Sequence, residues 1–362
     1  MAKIDSLMID NFRGIKDLYL DNLNNVNLIV GPNNSGKTSV LEAIELLRFH
    51  SDGLYNAYKV ALNREYTPSR SNSSYEILMN MFSKCEPTKQ IELSGICEGK
   101  DFSYRFSGKE EKVLRDYMGY GRYGRIKNVE IGEEVDGFNG GILVSFGNYS
   151  KHQPVNINRD SRISGTSIRH KKDFEIEYVS AFAHVQGNII REIVINEEYK
   201  KICIEILKQF DPKIADIRTL PADNGNHIVE YLYHKELGNM PLSTFGDGVK
   251  RALILANSIA KANGGILLID EIETSIHEQL YDDIFRFVLK ACALYNIQLF
   301  ITTHSIETVD SLLKTQDYDS QADFDSINVI TLKKVGDKTL SRNLNGRHVS
   351  ENRESFNFEV RL

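Results

Sequence analysis

The feature that most constrains this chain is the run Gly31-Pro32-Asn33-Asn34-Ser35-Gly36-Lys37-Thr38, which fits G-x-x-x-x-G-K-[ST], the Walker A pattern. Val26–Val30 ahead of it reads as a buried strand. Thr38–Leu47 behind it reads as a helix, with apolar residues three and four apart. A strand, a glycine-rich turn and a helix in this order aim backbone N–H groups inward at the positive end of the helix, which suits phosphate. Gly31 and Gly36 permit the turn, and Asn33, Asn34, Ser35 and Ser39 complete the cradle. Lys37 would reach the β- and γ-phosphates, and the Thr38 hydroxyl would serve Mg²⁺. The alternative is a chance glycine-rich turn between strand and helix. The complete motif in its proper context argues against that, so the expectation is an α/β P-loop fold that binds a nucleotide.

With 362 residues there is room for one large domain or two ordinary ones. The net charge of −6 means that a polyanionic partner would have to be met by a local basic patch. No apolar run reaches membrane-spanning length, and the N-terminus alternates like a strand and lacks a signal-peptide core. Cys85, Cys97, Cys203 and Cys292 are scattered without a C-x-x-C pair, which argues against zinc or a disulfide framework and for a reducing cytoplasm.

Along the chain, residues 4–10 and 17–20 read as short strands joined through Asn11-Phe12-Arg13-Gly14. Residues 51–86 are weakly patterned. Residues 90–97 and 101–106 read as a strand pair turning at Glu98-Gly99-Lys100. The stretch 107–172 is the least regular in pattern, and it interleaves Tyr and Arg around Tyr117–Arg125 before Arg159, Arg162, Arg169, His170, Lys171 and Lys172. Such a mixture stacks on bases and pairs with phosphates, or it is an ordinary surface loop diluted by Glu133, Glu134 and Asp136. Order returns with a strand at 174–179, a helix at 189–210 and a hairpin of 214–220 with 227–233. Beyond residue 240 come a long helix to Asn263, a strand at 266–270, a helix at 277–295, a strand at 298–303 and a helix from 305. A hairpin of 327–335 with 339–344 follows. The division expected is 1–50, a first lobe; 51–173, an insert or lid with antiparallel strands; and 174–362, a second lobe.

The second lobe carries further chemistry. Ile266-Leu267-Leu268-Ile269-Asp270-Glu271 is a buried strand delivering two carboxylates at its C-terminal end, where ligands bind in parallel sheets. Asp270 would hold the Mg²⁺ shell and Glu271 would polarise the attacking water. Leu299–Ser305 is a second buried strand, ending in His304, either a structural histidine or one placed to bond the γ-phosphate. Between the motifs, Leu242-Ser243-Thr244-Phe245-Gly246-Asp247-Gly248 opens a long helix. Ser243 is an N-cap there, or Ser243, Gly246 and Gly248 form an anion site. One loop already cradles the chain's own nucleotide, so a second anion site suggests the γ-phosphate of another subunit.

This order of motifs resembles the ABC-type ATPases. The spellings Asn11-Phe12-Arg13-Gly14, Leu242-Ser243-x-x-Gly246-Asp247-Gly248, Asp270-Glu271-Ile272-Glu273 and Thr302-Thr303-His304-Ser305 resemble the RecF/SMC-related branch, with the OLD-family and stand-alone anti-phage ATPases. The resemblance covers residues 1–50 and 174–344. It implies an ABC-type head, a mixed sheet with an antiparallel subdomain and a helical or irregular insert. Such heads bind ATP and Mg²⁺ and pair head-to-tail, with Ser243, Gly246 and Gly248 as trans contacts. It further implies that Glu273-Thr274-Ser275 links the two sites, that His304 is the switch, and that Arg13 lies near the phosphates. The sequence departs from the pattern in its signature, which is not Leu-Ser-Gly-Gly-Gln. Gln90 and Gln186 are the candidates for the glutamine that joins Mg²⁺ to the lid, and no heptads supply a coiled-coil arm.

Two functions follow as expectations. The first is a cytoplasmic ATPase whose oligomer controls a separately encoded effector, a nuclease or toxin, in bacterial anti-phage defence, with residues 51–172 docking the partner. The second is a RecF-like repair or recombination ATPase that binds DNA directly. A transporter subunit is disfavoured by the Asn-Phe-Arg-Gly opening and the signature. Only 58 residues follow His304, too few for a TOPRIM nuclease domain, and no metal-nuclease spacing is present, so this chain is not expected to cut nucleic acid.

Overall fold

The computed structural model describes residues 3–49, 51–64, 73–83, 89–114, 134–163, 175–183, 191–221, 228–315, 327–356 and 358–361. The first lobe opens with β1 (Ile4–Asp10), β2 (Leu18–Leu20), β3 (Val26–Val30) and α1 (Lys37–Glu45). Two short helices follow, α2 (Gly53–Leu62) and α3 (Ser74–Met79), then β4 (Lys89–Cys97), β5 (Lys100–Leu114), β6 (Glu134–Phe146) and β7 (Tyr149–Asn158). Next come β8 (Ile176–Val179), α4 (Arg191–Ile195), α5 (Glu197–Phe210), β9 (Ile214–Pro221), β10 (Ile228–His234) and β11 (Gly238–Pro241). The chain continues through α6 (Asp247–Lys261), β12 (Ile266–Ile269), α7 (Tyr281–Leu294), β13 (Gln298–Thr303) and α8 (Ile306–Lys314). It closes with β14 (Ile327–Val335), β15 (Lys338–Asn345) and α9 (Gly346–Phe356).

Three sheets organise these elements. The central one runs β15-β14-β3-β13-β12-β8. Its strands from β14 to β8 are parallel and only β15 is antiparallel. Parallel order delivers the C-terminal ends of β3, β13 and β12 to one edge, where the three motifs expected to act together emerge. The second sheet, β2-β1-β4-β5-β6-β7, is antiparallel throughout. A small third sheet, β11-β10-β9, lies within the second half of the chain.

Alternation along the central strands sends side chains into two cores. Ile29, Leu268 and Phe300 join α1 and the antiparallel sheet. Leu28, Val30, Leu267, Leu299 and Ile301 pack among the helices of the second lobe. Helix α1 is therefore held between two sheets, and Val40, Leu41, Ala43 and Ile44 are all fully buried. A helix with no free face holds the phosphate loop rigidly at its N-terminus. Gln298, itself fully buried, binds the sheets together at the opposite end. Its Oε1 accepts from Ile4 N at 2.8 Å, and its Nε2 donates to Ile4 O at 2.9 Å and Asn24 O at 3.0 Å.

The reading of 107–172 as irregular is corrected by the structure. Strand β5 continues to Leu114, and β6 and β7 extend the antiparallel ladder beyond it. Residues 107–114 and 134–158 thus belong to the sheet that β1 begins and share a core with β1 and α1, while 115–133 and 164–172 lie outside the described residues. Residues 101–106 are a strand as expected; interspersed glycines and charges hid its continuation and the burial of Phe138, Ile142 and Val144 on the strand beside it. Gly108 is required by close packing, because a Cβ there would lie 2.4 Å from the Phe138 ring and 2.5 Å from Asn139 O.

Smaller differences have local causes. Residues 51–86, weakly patterned in sequence, hold α2 and α3, each capped by a side chain: Asp52 for α2 and Ser73, in a capping box with Glu76, for α3. The single helix expected at 189–210 is two, broken where the Asn196 side chain accepts from Glu198 N and Tyr199 N. Helix α1 stops at Glu45, and β11 and α9 are additional to the elements expected. The Tyr- and Arg-rich run 117–125, Arg169–Lys172, Cys85 and Gln186 lie outside the described residues. No helix among the described residues is long and apolar enough to cross a membrane.

Candidate active site

The phosphate loop takes the conformation its glycines allow. Gly31 and Gly36 have φ of 149° and 101°, and Asn34 sits in the left-handed region at 65°. At Gly31 a Cβ would fall 2.4 Å from Leu332 O of β14 and 2.8 Å from Ser35 Oγ, so only glycine lets the loop run against that strand. Lys37 folds back on the loop, Nζ donating to Gly31 O at 2.9 Å and Pro32 O at 3.0 Å. Burial lowers its ammonium pKa, while the nearby Glu271, Asp270 and Glu273 pull the other way. Ser35 Oγ is buried without a hydrogen-bond partner among the described residues. An orphaned hydroxyl, a lysine satisfied only by its own loop and a helix N-terminus together fit a phosphate chain.

Facing the loop, Asp270 leaves the end of β12. Its Oδ1 and Oδ2 each lie 3.1 Å from the Thr38 hydroxyl. Thr302 donates to Oδ1 at 2.6 Å and the Tyr178 hydroxyl to Oδ2 at 3.4 Å. Burial raises the Asp270 carboxyl above its ordinary range, against the lowering effect of the Thr302 and Thr38 hydroxyls. These are oxygen donors, the set that suits a hard dication such as Mg²⁺. Among the described residues no cluster of three or more His, Cys, Asp or Glu forms a metal cage.

Glu271, the next residue, is strained. Its φ is 46°, a conformation costing a non-glycine residue about 1–2 kcal/mol. Three bonds hold it there: its N–H donates to Thr302 Oγ1 at 2.9 Å, and its carbonyl accepts from Thr274 N at 3.0 Å and from Arg251 Nη2 at 3.3 Å. The turn swings the Glu271 carboxylate outward, 38% exposed. His304 Nδ1 stands 3.6 Å from Glu271 Oε1 and 3.5 Å from Glu273 Oε1. Glu273 is buried and accepts from Thr303 Oγ1 at 2.7 Å and His304 N at 3.3 Å. The histidine is thus anchored from below by a carboxylate and faces a second one at the mouth.

The signature occupies a different place. Ser243 lies in a short 3-10 turn at Leu242–Thr244, and the residue capping α6 is Gly246. The N-cap reading of Ser243 therefore fails by three residues. Ser243, Thr244, Gly246 and Asp247 are exposed, and a Cβ on Gly246 would meet nothing within 4 Å. Gly248 lies in the first turn of α6.

Arg13 is committed to a carboxylate, with Nε 2.7 Å from Glu42 Oε2 and Nη2 3.1 Å from Oε1. Arg64, which the motifs did not mark, shares Glu42 and donates to Ser39 Oγ at 2.8 Å. It adds a second guanidinium on the face of α1 one residue past Thr38. Gln90 lies in the β4–β5 ladder opposite Ser107. Arg251 was also missed. It is fully buried, and no motif rule singles out an arginine on a helix three strands away from the phosphate loop.

Fold and site together define a P-loop ATPase of the RecF/SMC-related ABC type. The phosphate loop and the Asp-Glu strand flank β13, and the histidine leaves β13 between them. A family model described as an AAA ATPase domain matches residues 2–227, and the chain belongs to that family. A second AAA-domain model, whose description provisionally names the AbiEii toxin of a type IV TA system, matches residues 148–310. An ATP/GTP phosphatase of Helicobacter pylori is 24% identical over 88% of this chain and 90% of its own length. The DNA replication and repair protein RecF of Rickettsia canadensis is 22% identical over 85% of this chain and 96% of its own. Among solved structures, the Smc head domain of Pyrococcus furiosus, bound to the C-terminal domain of ScpA, superposes with a TM-score of 0.51 at 11% identity. The match covers 99% of this chain and 100% of that one, and it shows a shared fold.

Chemically, the chain's own groups divide the work. Mg·ATP, when bound, supplies the electrophilic γ-phosphorus. Lys37 and the loop N–H groups would hold the phosphate charge, and Thr38 with Asp270 would take the metal. Glu271, its carboxylate 38% exposed, would serve as the base for a water, and His304 would bond the γ-phosphate or pass a proton to Glu271.

Proposed function

We propose that this ATPase pairs head-to-tail with a second copy, that each phosphate loop is closed by the other copy's Ser243–Gly248 segment, and that the nucleotide cycle controls a separately encoded effector in bacterial anti-phage defence. The observation that carries the pairing is the exposed signature: a serine turn and a capping glycine at a helix N-terminus, facing solvent. The defence reading is supported by the AbiEii and type IV TA wording of the family model over residues 148–310. His304, Glu271 and Lys37 are assigned to catalysis. Arg13 is assigned a supporting role, acting on the phosphate helix through Glu42. Residues 51–172 are assigned the partner. Because β5–β7 share the core, that assignment is tested with surface substitutions and not by deletion. We further propose that this chain does not cut nucleic acid, since Asp270 and Glu271 are committed to the nucleotide.

The similarity to RecF supports a second reading, direct binding of DNA. ATPase rates with and without duplex DNA at 50 and 200 mM salt, beside pull-downs with the products of neighbouring genes, separate the two. Effector control requires tight capture of a neighbouring product and a rate indifferent to DNA. Strong stimulation by DNA that collapses with salt, without such capture, would replace it by the RecF-like function.

A further inference from the structure

Arg251 stands in the second turn of α6, 0% exposed. A buried arginine ordinarily meets a carboxylate. This one spends its hydrogen bonds on main-chain carbonyls: Nη1 donates to Ser180 O at 2.6 Å, and Nη2 to Asp270 O at 3.1 Å and Glu271 O at 3.3 Å. Its Nε finds no partner among the described residues. The contacts gather the exit of β8 and the exit of β12 onto the helix that carries the signature. One of them falls on the carbonyl of Glu271, the residue held at a φ of 46°. Burial lowers the guanidinium pKa to about 10, with Asp270, Glu273 and Glu271 opposing that shift.

We infer that Arg251 is the positioning residue that ties the signature helix to the catalytic base: it fixes the Asp270–Glu271 peptide of its own chain from below, and with it the aim of Glu271. This goes beyond the pairing reading and rests on it only where variants are mixed. The geometry makes α6 two-handed. Ser243, in the turn ahead of it, acts outward, on the other copy's site. Arg251, further along, acts inward on its own. Loss of Arg251 leaves two of the three carbonyls with other donors, since Ala183 N still reaches Ser180 O at 3.2 Å and Thr274 N still reaches Glu271 O at 3.0 Å. The turn then has bonds enough to form, but the base loses its fixed aim, and a misplacement of about 1 Å can cost about 10²-fold in rate.

The test uses Arg251→Met, which fills the volume without charge, and Arg251→Lys, which keeps the charge and loses the fork. For Arg251→Met, affinity for a fluorescent ATP analogue should stay within about threefold while kcat falls about 10²-fold. Arg251→Lys should lie between it and the wild type. Mixing variants then locates the defect. Ser243→Arg mixed with Lys37→Ala should recover activity, because one composite site is intact, and Arg251→Met mixed with Ser243→Arg should recover it likewise. Arg251→Met mixed with Lys37→Ala should stay inactive. Recovery in that last mixture, or an Arg251→Met kcat equal to wild type, would overturn the proposal. If Ser243→Arg with Lys37→Ala fails to recover, the shared site is at fault, and the kcat-against-affinity split of Arg251→Met still decides whether Arg251 aims the base. Should Arg251→Met not fold, the same split is read from Arg251→Lys.

Discussion

The Thr38 hydroxyl lies 3.1 Å from each carboxylate oxygen of Asp270, a residue 232 positions further along the chain. That bond brings the end of the phosphate loop to the end of β12 and marks where a cation would enter. Both groups are held from behind, Thr38 by the buried helix α1 and Asp270 by the 2.6 Å bond from Thr302. Substitutions in the site should therefore separate cleanly by role.

Lys37 and Glu271 should fail differently. Lys37→Ala removes the cation that the phosphates require, so nucleotide affinity should drop. Glu271→Gln keeps the shape and loses the base, so it should bind ATP and stall, with kcat down about 10²–10⁴-fold. Equilibrium binding beside steady-state hydrolysis checks both, and a Glu271→Gln enzyme turning over at the normal rate would remove the assignment.

Pairing should follow the nucleotide. Light scattering of Glu271→Gln should show a mass increase on adding Mg·ATP. Ser243→Arg in the same background should block the increase by filling the place of the neighbour's γ-phosphate. Ser243→Arg alone with full hydrolytic activity would count against a shared site more heavily than an unchanged mass.

Gln298 should matter for folding and not for chemistry. Gln298→Leu removes the side-chain partner of the Ile4 N–H and carbonyl, each loss costing about 1–3 kcal/mol, while the Asn24 carbonyl keeps its bond from Asn27 Nδ2 at 2.7 Å. Urea titration should show the lowered stability, with kcat of the folded fraction unchanged. A rate loss without a stability loss would contradict this division.

Glu45 should give stability a pH dependence. It is buried on α1, its Oε2 accepting from Asn63 Nδ2 at 2.6 Å, and burial raises its carboxyl above the ordinary value of 4.5. The folded state therefore holds the proton more tightly than the unfolded one. This contribution is present in full below the ordinary value and is lost as pH rises through the raised one. Glu45→Gln should abolish it, so the Tm advantage of the variant should widen as pH rises from the ordinary value of 4.5 towards neutrality. A constant gap across that range would mean that Glu45 does not titrate in the window.

The chemistry of this protein was legible in its sequence because each part is local. A phosphate loop is one strand, one turn and one helix. An Asp-Glu pair needs only the strand that delivers it, and His304 only the end of the next. Neighbouring residues set these features by backbone geometry, so Gly31–Thr38, Asp270, Glu271 and His304 stand at one sheet edge as expected. What only the tertiary structure decided are the partnerships between segments. Arg251 on the signature helix bonds the Glu271 carbonyl, Gln298 joins two sheets, Arg64 meets Ser39, and a glycine-broken run becomes β5–β7 because Phe106 and Phe138 share a core with α1. The Arg251, Gln298 and Arg64 bonds leave no period or spacing in the chain. A buried hydrogen bond between distant residues constrains only two side-chain types and a distance, and folding alone supplies the distance.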